Sequence, residues 1–215
     1  MIVAYDGIRA ALNPSGLGNY SRFILDAVER HLPAIEPHVY LPLSDGSGLY
    51  QPQGRARLQH PHRWPGGLLA RTLWRRRLAR RVAADGAAVF HGLSNELPVR
   101  LHSHGLRGVV TIHDLIYLRY PQYFSAIDRR LYDRRYRRSV AEADRIIAVS
   151  QQTADDLMRY YGAPAGRIDV VGQGCAPFFY EIERRPAPQP LVLYVGAFDP
   201  RKNIALIVEA AARLQ

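Results

Sequence analysis

The sequence has little cysteine, almost no lysine and no long apolar run. Its single cysteine, Cys175, cannot form a disulfide within the chain. No apolar run reaches the roughly 20 residues that a membrane-spanning helix requires, and the N-terminus begins as a strand rather than as a signal peptide. We therefore expect a cytoplasmic protein without an internal disulfide.

Negative charge is also scarce. The 29 lysine and arginine residues outnumber 19 aspartate and glutamate residues, which gives a formal charge of +10 and a pI near 10.1. This surplus indicates an acidic partner, such as nucleic acid, anionic lipid or a phosphorylated substrate. Lys202 is the only lysine, and the preference for arginine is most simply a bias of genomic composition.

One predicted helix, residues 68–82, carries much of this charge. Ala70, Trp74, Leu78 and Val82 form an apolar ridge at four-residue spacing. The arginines beside this ridge are Arg71, Arg75, Arg76, Arg77, Arg80 and Arg81. Two alternatives remain open, a solvated helix packed on a sheet and a helix at an anionic membrane surface.

Strand patterns alternate with helix patterns along most of the chain. The predicted strands are residues 2–6, 38–41, 87–91, 107–112, 145–149 and 168–171, and residues 43–66 are predicted to be a long surface loop. The strands are apolar without strict alternation, which is typical of strands covered on both faces. We predict an α/β fold, a doubly wound Rossmann-like parallel sheet with an incomplete second domain.

The predicted first domain spans residues 1–180. Residues 181–190 contain three prolines among charged residues and are predicted to be an interdomain linker. Residues 191–215 are expected to be the first strand–helix unit of a truncated second domain, with a strand at 191–195 and a helix from about Asn203.

A glycine-containing loop, Ser15-Gly16-Leu17-Gly18-Asn19-Tyr20, leads into the first long helix. Free amides at a helix N-terminus suit an anion, usually phosphate, whereas the alternative is an ordinary loop and helix cap. A dinucleotide-binding fingerprint needs a third glycine where Ser21 stands, and a P-loop needs a Gly-Lys-Ser/Thr sequence that is missing here.

Polar residues follow several strands of the predicted sheet, where open α/β sheets bind ligands. These residues are His91, Asn95, His113, Asp114 and Ser150. His113 is interpreted as a hydrogen-bonding or proton-handling group facing the cleft, or as a histidine satisfied by neighbouring backbone. We expect no metal site, because no two histidines are four residues apart and the only cysteine is remote.

The segment from Gly196 to Asn203 again joins a strand to a helix and carries Arg201 and Lys202. A compact ammonium beside a helix N-terminus can bind a diphosphate. The alternative is an ordinary basic loop.

Together these pieces resemble the retaining GT-B glycosyltransferases of family four. The similar pieces, in the family's order, are Ser15–Tyr20, Thr111–Asp114, Ile147–Ser150, Val170–Gly174, Tyr194–Gly196 and Arg201–Asn203. The resemblance implies two Rossmann-like domains facing across a cleft. The first would bind the acceptor and the second a nucleotide-sugar such as GDP-mannose or a UDP-sugar.

The resemblance also implies roles for individual residues. Gly16, Leu17 and Gly18 would approach the donor diphosphate, and His113 with Asp114 would lie by the transferred sugar and the acceptor hydroxyl. Arg201 and Lys202 would neutralise the leaving diphosphate, so that neither a metal nor another cofactor is expected. His91, Asn95 and Ser150 are assigned to the acceptor cleft.

The form Pro-Arg-Lys-Asn, residues 200–203, looks most like bacterial mannosyl- and rhamnosyltransferases. We therefore expect retaining transfer of a mannose-like sugar to a glycan or lipid-linked acceptor in cell-surface polysaccharide biosynthesis. Peripheral binding at the inner face of the membrane would explain the basic charge. Ala197 stands where many relatives have arginine, and the paired glutamates of the family's second domain are missing. This chain alone is therefore expected to be inactive.

The alternative is a non-enzymatic basic module that binds anionic membrane or another polyanion. Paired arginines with Tyr132 and Tyr136 in residues 125–143 invite a nucleic-acid interpretation. However, the two tyrosines equally suit helix packing and no recognised nucleic-acid motif is present, so we do not expect nucleic acid as the partner.

Overall fold

The structure is a computed structural model that describes residues 1–41, 49–60, 68–176, 178–183 and 191–213, with the backbone alone for residues 68–72. Its strands are β1 (Ile2–Asp6), β2 (Glu36–Tyr40), β3 (Arg57–Gln59), β4 (Val89–Gly92), β5 (Arg107–Ile112), β6 (Arg145–Ala148) and β7 (Ile168–Val170). Its helices are α1 (Ile8–Leu12), α2 (Gly16–His31), α3 (Leu68–Ala84), α4 (Ile116–Arg119), α5 (Ala126–Glu142), α6 (Gln151–Tyr161), α7 (Phe178–Glu181) and α8 (Ile204–Ala212). Short 3-10 turns lie at His102–His104, Pro121–Tyr123, Ala165–Arg167 and Pro200–Lys202.

The strands form one parallel sheet in the order β3-β2-β1-β4-β5-β6-β7. The order reverses between β1 and β4, where Val3 pairs with Val89 and Tyr5 with His91. Each parallel connection must cross back over a face of the sheet, so helices cover both faces. The predicted fold class, an α/β doubly wound Rossmann-like parallel sheet, is confirmed. The six predicted strands of this sheet agree with the observed ones to within two residues.

The apolar core lies on both faces of the sheet. Val3 and Tyr5 of β1 pack in one buried cluster with Leu25 of α2, whereas Ala4 packs with Phe90 in the other. Successive side chains of a strand point to opposite faces. A strand between two layers of helices therefore needs apolar residues at every position, which is why strict alternation is missing from the sequence.

Helix α3 packs on the sheet through the predicted ridge. Trp74, Leu78 and Val82 are buried, while Arg76 and Arg80 are exposed. The side chain of Ala70 lies outside the described residues. A solvated helix packed on a sheet requires this arrangement, in which the apolar ridge is buried and the arginines face solvent.

Strand β3 corrects the prediction of a continuous surface loop over residues 43–66. It pairs with β2 at the edge of the sheet, where Arg57 lies opposite His38. The neighbouring Arg55 donates hydrogen bonds of 2.6–3.3 Å to the carbonyls of Glu29, Leu32, Pro33 and Ile35. These carbonyls belong to the last turn of α2 and the residues after it, so a helix terminus more than 20 residues away anchors the strand. No local sequence pattern signals this contact.

The strand predicted at residues 191–195 is not formed. These residues pair with no strand in the part of the chain that the structure describes, and Leu191, Leu193 and Val195 are 74%, 76% and 85% exposed. An extended segment becomes a strand only through hydrogen bonds to a neighbour. The helix predicted after it does form, as α8. The predicted linker, residues 181–190, lies mostly outside the described residues.

Replacing Arg55 with alanine is expected to lower the free energy of unfolding by about 2 kcal/mol, because hydrogen bonds to a charged group stabilise a fold by about that amount. The matched control is Arg57→Ala, which removes only a surface ion pair of 2.7 Å with Glu36 and should cost less than about 1 kcal/mol. Urea denaturation of both variants measures the difference. Equal losses would contradict the anchoring role of Arg55.

Candidate active-site cleft

The loops that follow β4, β5, β6 and β7 meet at the carboxyl edge of the sheet. Because all strands are parallel, their ends point the same way, and the reversal between β1 and β4 opens a crevice there. His113, directly after β5, lies at the centre of this edge and contacts residues that follow β4, β6 and β7.

The ring of His113 is held in one tautomer. Its Nε2 lies 2.9 Å from the carbonyl oxygen of Leu93. A carbonyl can only accept, so Nε2 carries the proton, and Nδ1 accepts a hydrogen bond of 3.0 Å from the side-chain amide of Gln173. Burial lowers the pKa of His113, although the bond to Leu93 and the charge of Asp114 oppose that effect. The ring is therefore neutral at pH 7.

The backbone on either side of His113 is equally constrained. Its N–H donates to Oδ1 of Asn95 over 2.8 Å, and its carbonyl accepts from the hydroxyl of Thr153 over 3.1 Å. Asn95 is buried with a φ of 66°, and its amide nitrogen donates to the hydroxyl of Tyr136 on α5. Ser150 caps α6 by accepting from the N–H of Thr153. Asn95 and Ser150 thus act on the orientation of His113.

His91 lies behind the cleft rather than on its surface. It is buried, and its Nε2 lies 2.9 Å from the hydroxyl of Thr111. The same hydroxyl lies 3.3 Å from the phenol oxygen of Tyr20, whose ring meets the ring of His113 edge-on at 4.7 Å. Burial lowers the pKa of His91 to about 4. His91 is therefore a neutral support for the residues that line the cleft.

The glycine-containing loop begins α2, and its two glycines have different surroundings. A Cβ at Gly16 would meet nothing within 4 Å, whereas a Cβ at Gly18 would lie 1.7 Å from the carbonyl oxygen of Asn13. Ser15 precedes the helix without capping it, because its hydroxyl bonds Asn13 instead. Leu17 lies between the glycines in the first turn. The open amides suit an anion, but Gly18 is required by packing.

A groove of about 710 Å³ joins this helix start to the segment after β7. Its walls include Gly16, Tyr20, Gln173 and Phe178. Tyr20 and Gln173 also contact His113. Gly16 and His113 are thus connected through two residues of this groove wall. Tyr20 and Gln173 are not among the predicted site residues, although each stands within a segment quoted for the family resemblance.

The cations of the Gly196–Asn203 segment lie elsewhere. Arg201 forms an ion pair of 2.9 Å with Asp199, and its guanidinium lies 5.3 Å from the ring centre of Phe124. The bond to Asp199 raises the pKa of Arg201, with a smaller contribution from Asp114. Lys202 is exposed. Within the described ranges, no hydrogen bond or ion pair joins either cation to the start of α2.

Asp114 is exposed and accepts a hydrogen bond of 3.3 Å from the N–H of Ile116, where α4 begins. Among the described residues, no group of three or more His, Cys, Asp or Glu side chains could hold a metal ion. None of the described helices is both long and apolar enough to span a bilayer.

The fold and the cleft define the class of protein. A doubly wound α/β domain carries a fixed neutral histidine and an uncapped helix start at the carboxyl edge of its sheet. The model of Glycosyltransferase Family 4 matches residues 16–177, which include both features. The chain therefore belongs to glycosyltransferase family 4.

Individual relatives are similar over shorter stretches. The O-antigen chain mannosyltransferase B of Escherichia coli is 29% identical over 134 residues, which cover 57% of this chain and 34% of that protein. The D-inositol 3-phosphate glycosyltransferase of Rhodococcus opacus is 36% identical over 84 residues, 35% of this chain and 19% of the relative. The match thus spans about a third or less of these curated relatives.

Two solved structures share the fold. Sucrose-phosphate synthase from Thermosynechococcus elongatus superposes with a TM-score of 0.68 and 19% identity over 99% of this chain and 60% of its own. Anabaena HepE, solved in complex with UDP and glucose, superposes with a TM-score of 0.51 and 16% identity over 80% of this chain and 44% of its own. At these identities the likeness establishes the fold, which is of the GT-B type.

The two glycines provide a matched pair of variants. Gly18→Ala is expected to destabilise the chain by about 2 kcal/mol, because the new methyl group must displace the backbone at Asn13. Gly16→Ala meets open space and should change stability by less than about 0.5 kcal/mol. Thermal unfolding measures both, and a shift of about 4–8 °C is expected for Gly18→Ala alone. Equal melting temperatures would refute the packing role.

The depressed pKa of His91 predicts how stability depends on pH. Between pH 6.5 and about 4 the unfolded chain binds a proton at this residue and the folded chain does not. Stability should therefore fall as the pH drops through this range, by about 3 kcal/mol from this group. His91→Gln removes the titration, so urea denaturation at several pH values should give a flatter curve for the variant. Parallel curves would contradict the prediction.

Proposed function

We propose that the chain is the acceptor-binding part of a retaining glycosyltransferase. The enzyme would move a sugar, mannose or a similar one, from a nucleotide-sugar to a glycan or lipid-linked acceptor. The observation that carries this proposal is the family match over residues 16–177, which spans both the helix start at Gly16 and the fixed ring of His113.

Two of the relatives support the finer parts of the proposal. One is named a mannosyltransferase of O-antigen chains, which supports a mannose-like sugar and a role in cell-surface polysaccharide biosynthesis. A structural neighbour was solved with UDP and glucose, which supports a nucleotide-sugar as the donor.

In the proposed reaction, the bond between the anomeric carbon and the phosphate oxygen breaks and leaves negative charge on the diphosphate. The acceptor hydroxyl oxygen bonds the anomeric carbon on the same face of the sugar, and its proton passes to that phosphate oxygen. Groups that stabilise the developing charge lower the barrier most. The amides of Gly16 and Leu17 would do so from one side of the cleft, with Gly18 holding the turn in place.

Arg201 and Lys202 would neutralise the diphosphate from the other side. This role makes a metal ion unnecessary in the proposal and requires the two cations to move to the start of α2. Such a movement is a closure of the two domains, which we place at residues 1–180 and 191–215, with a linker at 181–190. The same closure would bring Arg201 to where it can replace the arginine that many relatives have at position 197.

His113 would contact the transferred sugar and the acceptor hydroxyl. Its Nε2–H is committed to the carbonyl of Leu93, so the atom offered to a substrate is Nδ1. The exposed amide of Gln173 occupies Nδ1, and a sugar hydroxyl is the donor that would replace it. Asp114 lies beside the ring at the mouth of the cleft. His91, Asn95 and Ser150 would shape the acceptor cleft from behind.

We also infer that the enzyme works in the cytoplasm, at the inner face of the membrane. The exposed arginines of α3 and α5 would attract an anionic surface on which a lipid-linked acceptor lies. The same charge supports the alternative of a non-enzymatic basic module that binds anionic membrane or another polyanion. Enzyme turnover distinguishes the two.

The test is a coupled transfer assay on the longer protein, with GDP-mannose and UDP-glucose as donors. His113→Ala is expected to lower turnover at least about 100-fold, as the loss of a positioned acid–base or hydrogen-bonding group does. The control is His104→Ala, which removes an exposed histidine from the 3-10 turn before β5, at the opposite end of that strand from His113. The 215-residue chain alone should give no turnover.

The proposal fails if no nucleotide-sugar is used by the longer protein, or if His113→Ala turns over like the wild type. Turnover by the 215-residue chain alone would contradict the proposed division of the site between two domains.

A further inference from the structure

A second cavity lies between α3 and α5, beside the ends of β1 and β4. It has a volume of about 560 Å³, which is in the range of pockets for small ligands. Its apolar walls include Trp74, Leu78 and Phe90. Its polar wall consists of five arginines and two carboxyl groups, namely Arg75, Arg76, Arg134, Arg135, Arg138, Asp6 and Glu96.

The arginines divide into two groups. Glu96 accepts from Arg75 on α3 over 3.1 Å and from Arg135 on α5 over 3.3 Å, so that one carboxylate bridges the two helices. Arg138 donates to the carbonyl of Leu97 over 3.0 Å. These side chains are committed to holding the cavity walls together.

Arg76 and Arg134 are different. Neither forms a hydrogen bond or an ion pair with any of the described residues, and they stand on opposite walls of the cavity. The second carboxyl group, Asp6, forms no ion pair with either of them. It accepts from the N–H of Ile8, and burial raises its pKa. Among the described residues, these two guanidinium groups thus line the cavity without an ion-pair partner.

The cavity lies beside the segment after β4 that holds His113. A smaller adjoining space of about 160 Å³ shares Asp6, Arg75 and Glu96 with it and is also lined by Ser94. Ser94 stands between Leu93 and Asn95, the two residues that hold His113. A ligand anchored between α3 and α5 could therefore extend past Ser94 toward that histidine.

We propose that this cavity binds a phosphate-class anion through Arg76 and Arg134, and that the acceptor of the proposed transfer carries such a group. Guanidinium groups bind phosphate with two parallel hydrogen bonds, which gives position as well as charge. The statement about the acceptor rests on the proposed function, whereas the anion site itself does not. The anion is either a soluble phosphate ester or a lipid headgroup.

Calorimetry on the 215-residue chain at constant ionic strength tests the site, with inorganic phosphate and glucose 6-phosphate as probes and glucose as the neutral comparison. The double variant Arg76→Gln, Arg134→Gln is expected to weaken phosphate binding about tenfold or more. The control double variant Arg80→Gln, Arg130→Gln removes two exposed arginines from the same helices outside the cavity and should bind like the wild type.

Sedimentation with phosphatidylglycerol and phosphatidylcholine vesicles separates the two sources of the anion. Binding of the soluble esters points to a soluble acceptor, and binding of phosphatidylglycerol vesicles alone points to a headgroup. Either supports the site if the cavity variant loses clearly more of that binding than the control variant does. Equal losses in both double variants would mean general surface attraction and overturn the proposal, as would equal binding of glucose. Circular dichroism confirms that both variants fold.

The two proposals can fail separately. If the cavity variant loses phosphate binding but the longer protein uses no nucleotide-sugar, the anion site stands and the proposed function fails. If the longer protein transfers sugar and the cavity variant binds phosphate like the wild type, the anion site fails alone.

Discussion

The parallel pairing of β4 with β5 continues beyond the ends of the two strands, and the cleft depends on that continuation. The N–H of Asn95 donates to the carbonyl of Thr111, and the N–H of His113 returns to the side chain of Asn95. The ring of His113 then bonds the carbonyl of Leu93. These contacts fasten two loops that would otherwise diverge. Since loops are usually the mobile part of an α/β domain, a histidine fixed at both backbone and ring indicates a surface built for positioning.

The cleft is preorganised by burial as well as by hydrogen bonds. Thr111 lies at the end of β5 beneath the cleft, and its hydroxyl contacts both His91 and Tyr20. Tyr20 in turn meets the edge of His113. Burial disfavours a charge on either histidine and lowers both pKa values. Both rings therefore stay neutral at pH 7. His91 and His113 thus give the cleft a fixed shape and hydrogen-bonding groups, but no charge.

The sequence predicts those parts of the fold that depend on local patterns. Continuous apolar runs identify six strands of the sheet, and the polar residue after β5 marks His113 as a residue of the cleft. Strand β3 cannot be predicted, because Arg55 anchors it to the distant end of α2. The different roles of Gly16 and Gly18 are also hidden, because only the folded loop brings Asn13 against one of them. The arginine cavity escapes prediction for the same reason, since its two walls are about 60 residues apart along the chain.

The position of Arg201 bears on how a diphosphate would be held. The start of a helix is equivalent to about half an elementary charge, and its effect falls off within the first turn. A donor diphosphate carries more charge than that, so the first turn of α2 is too weak to retain it without cations. Arg201 is paired with Asp199 in an exposed position, and a pair of this kind contributes about 1 kcal/mol or less. A phosphate that offers two parallel hydrogen bonds to the same guanidinium is a stronger partner. Under the proposed function, exchange of Asp199 for phosphate would therefore be favourable once the two segments approach, and the donor would then drive the proposed closure.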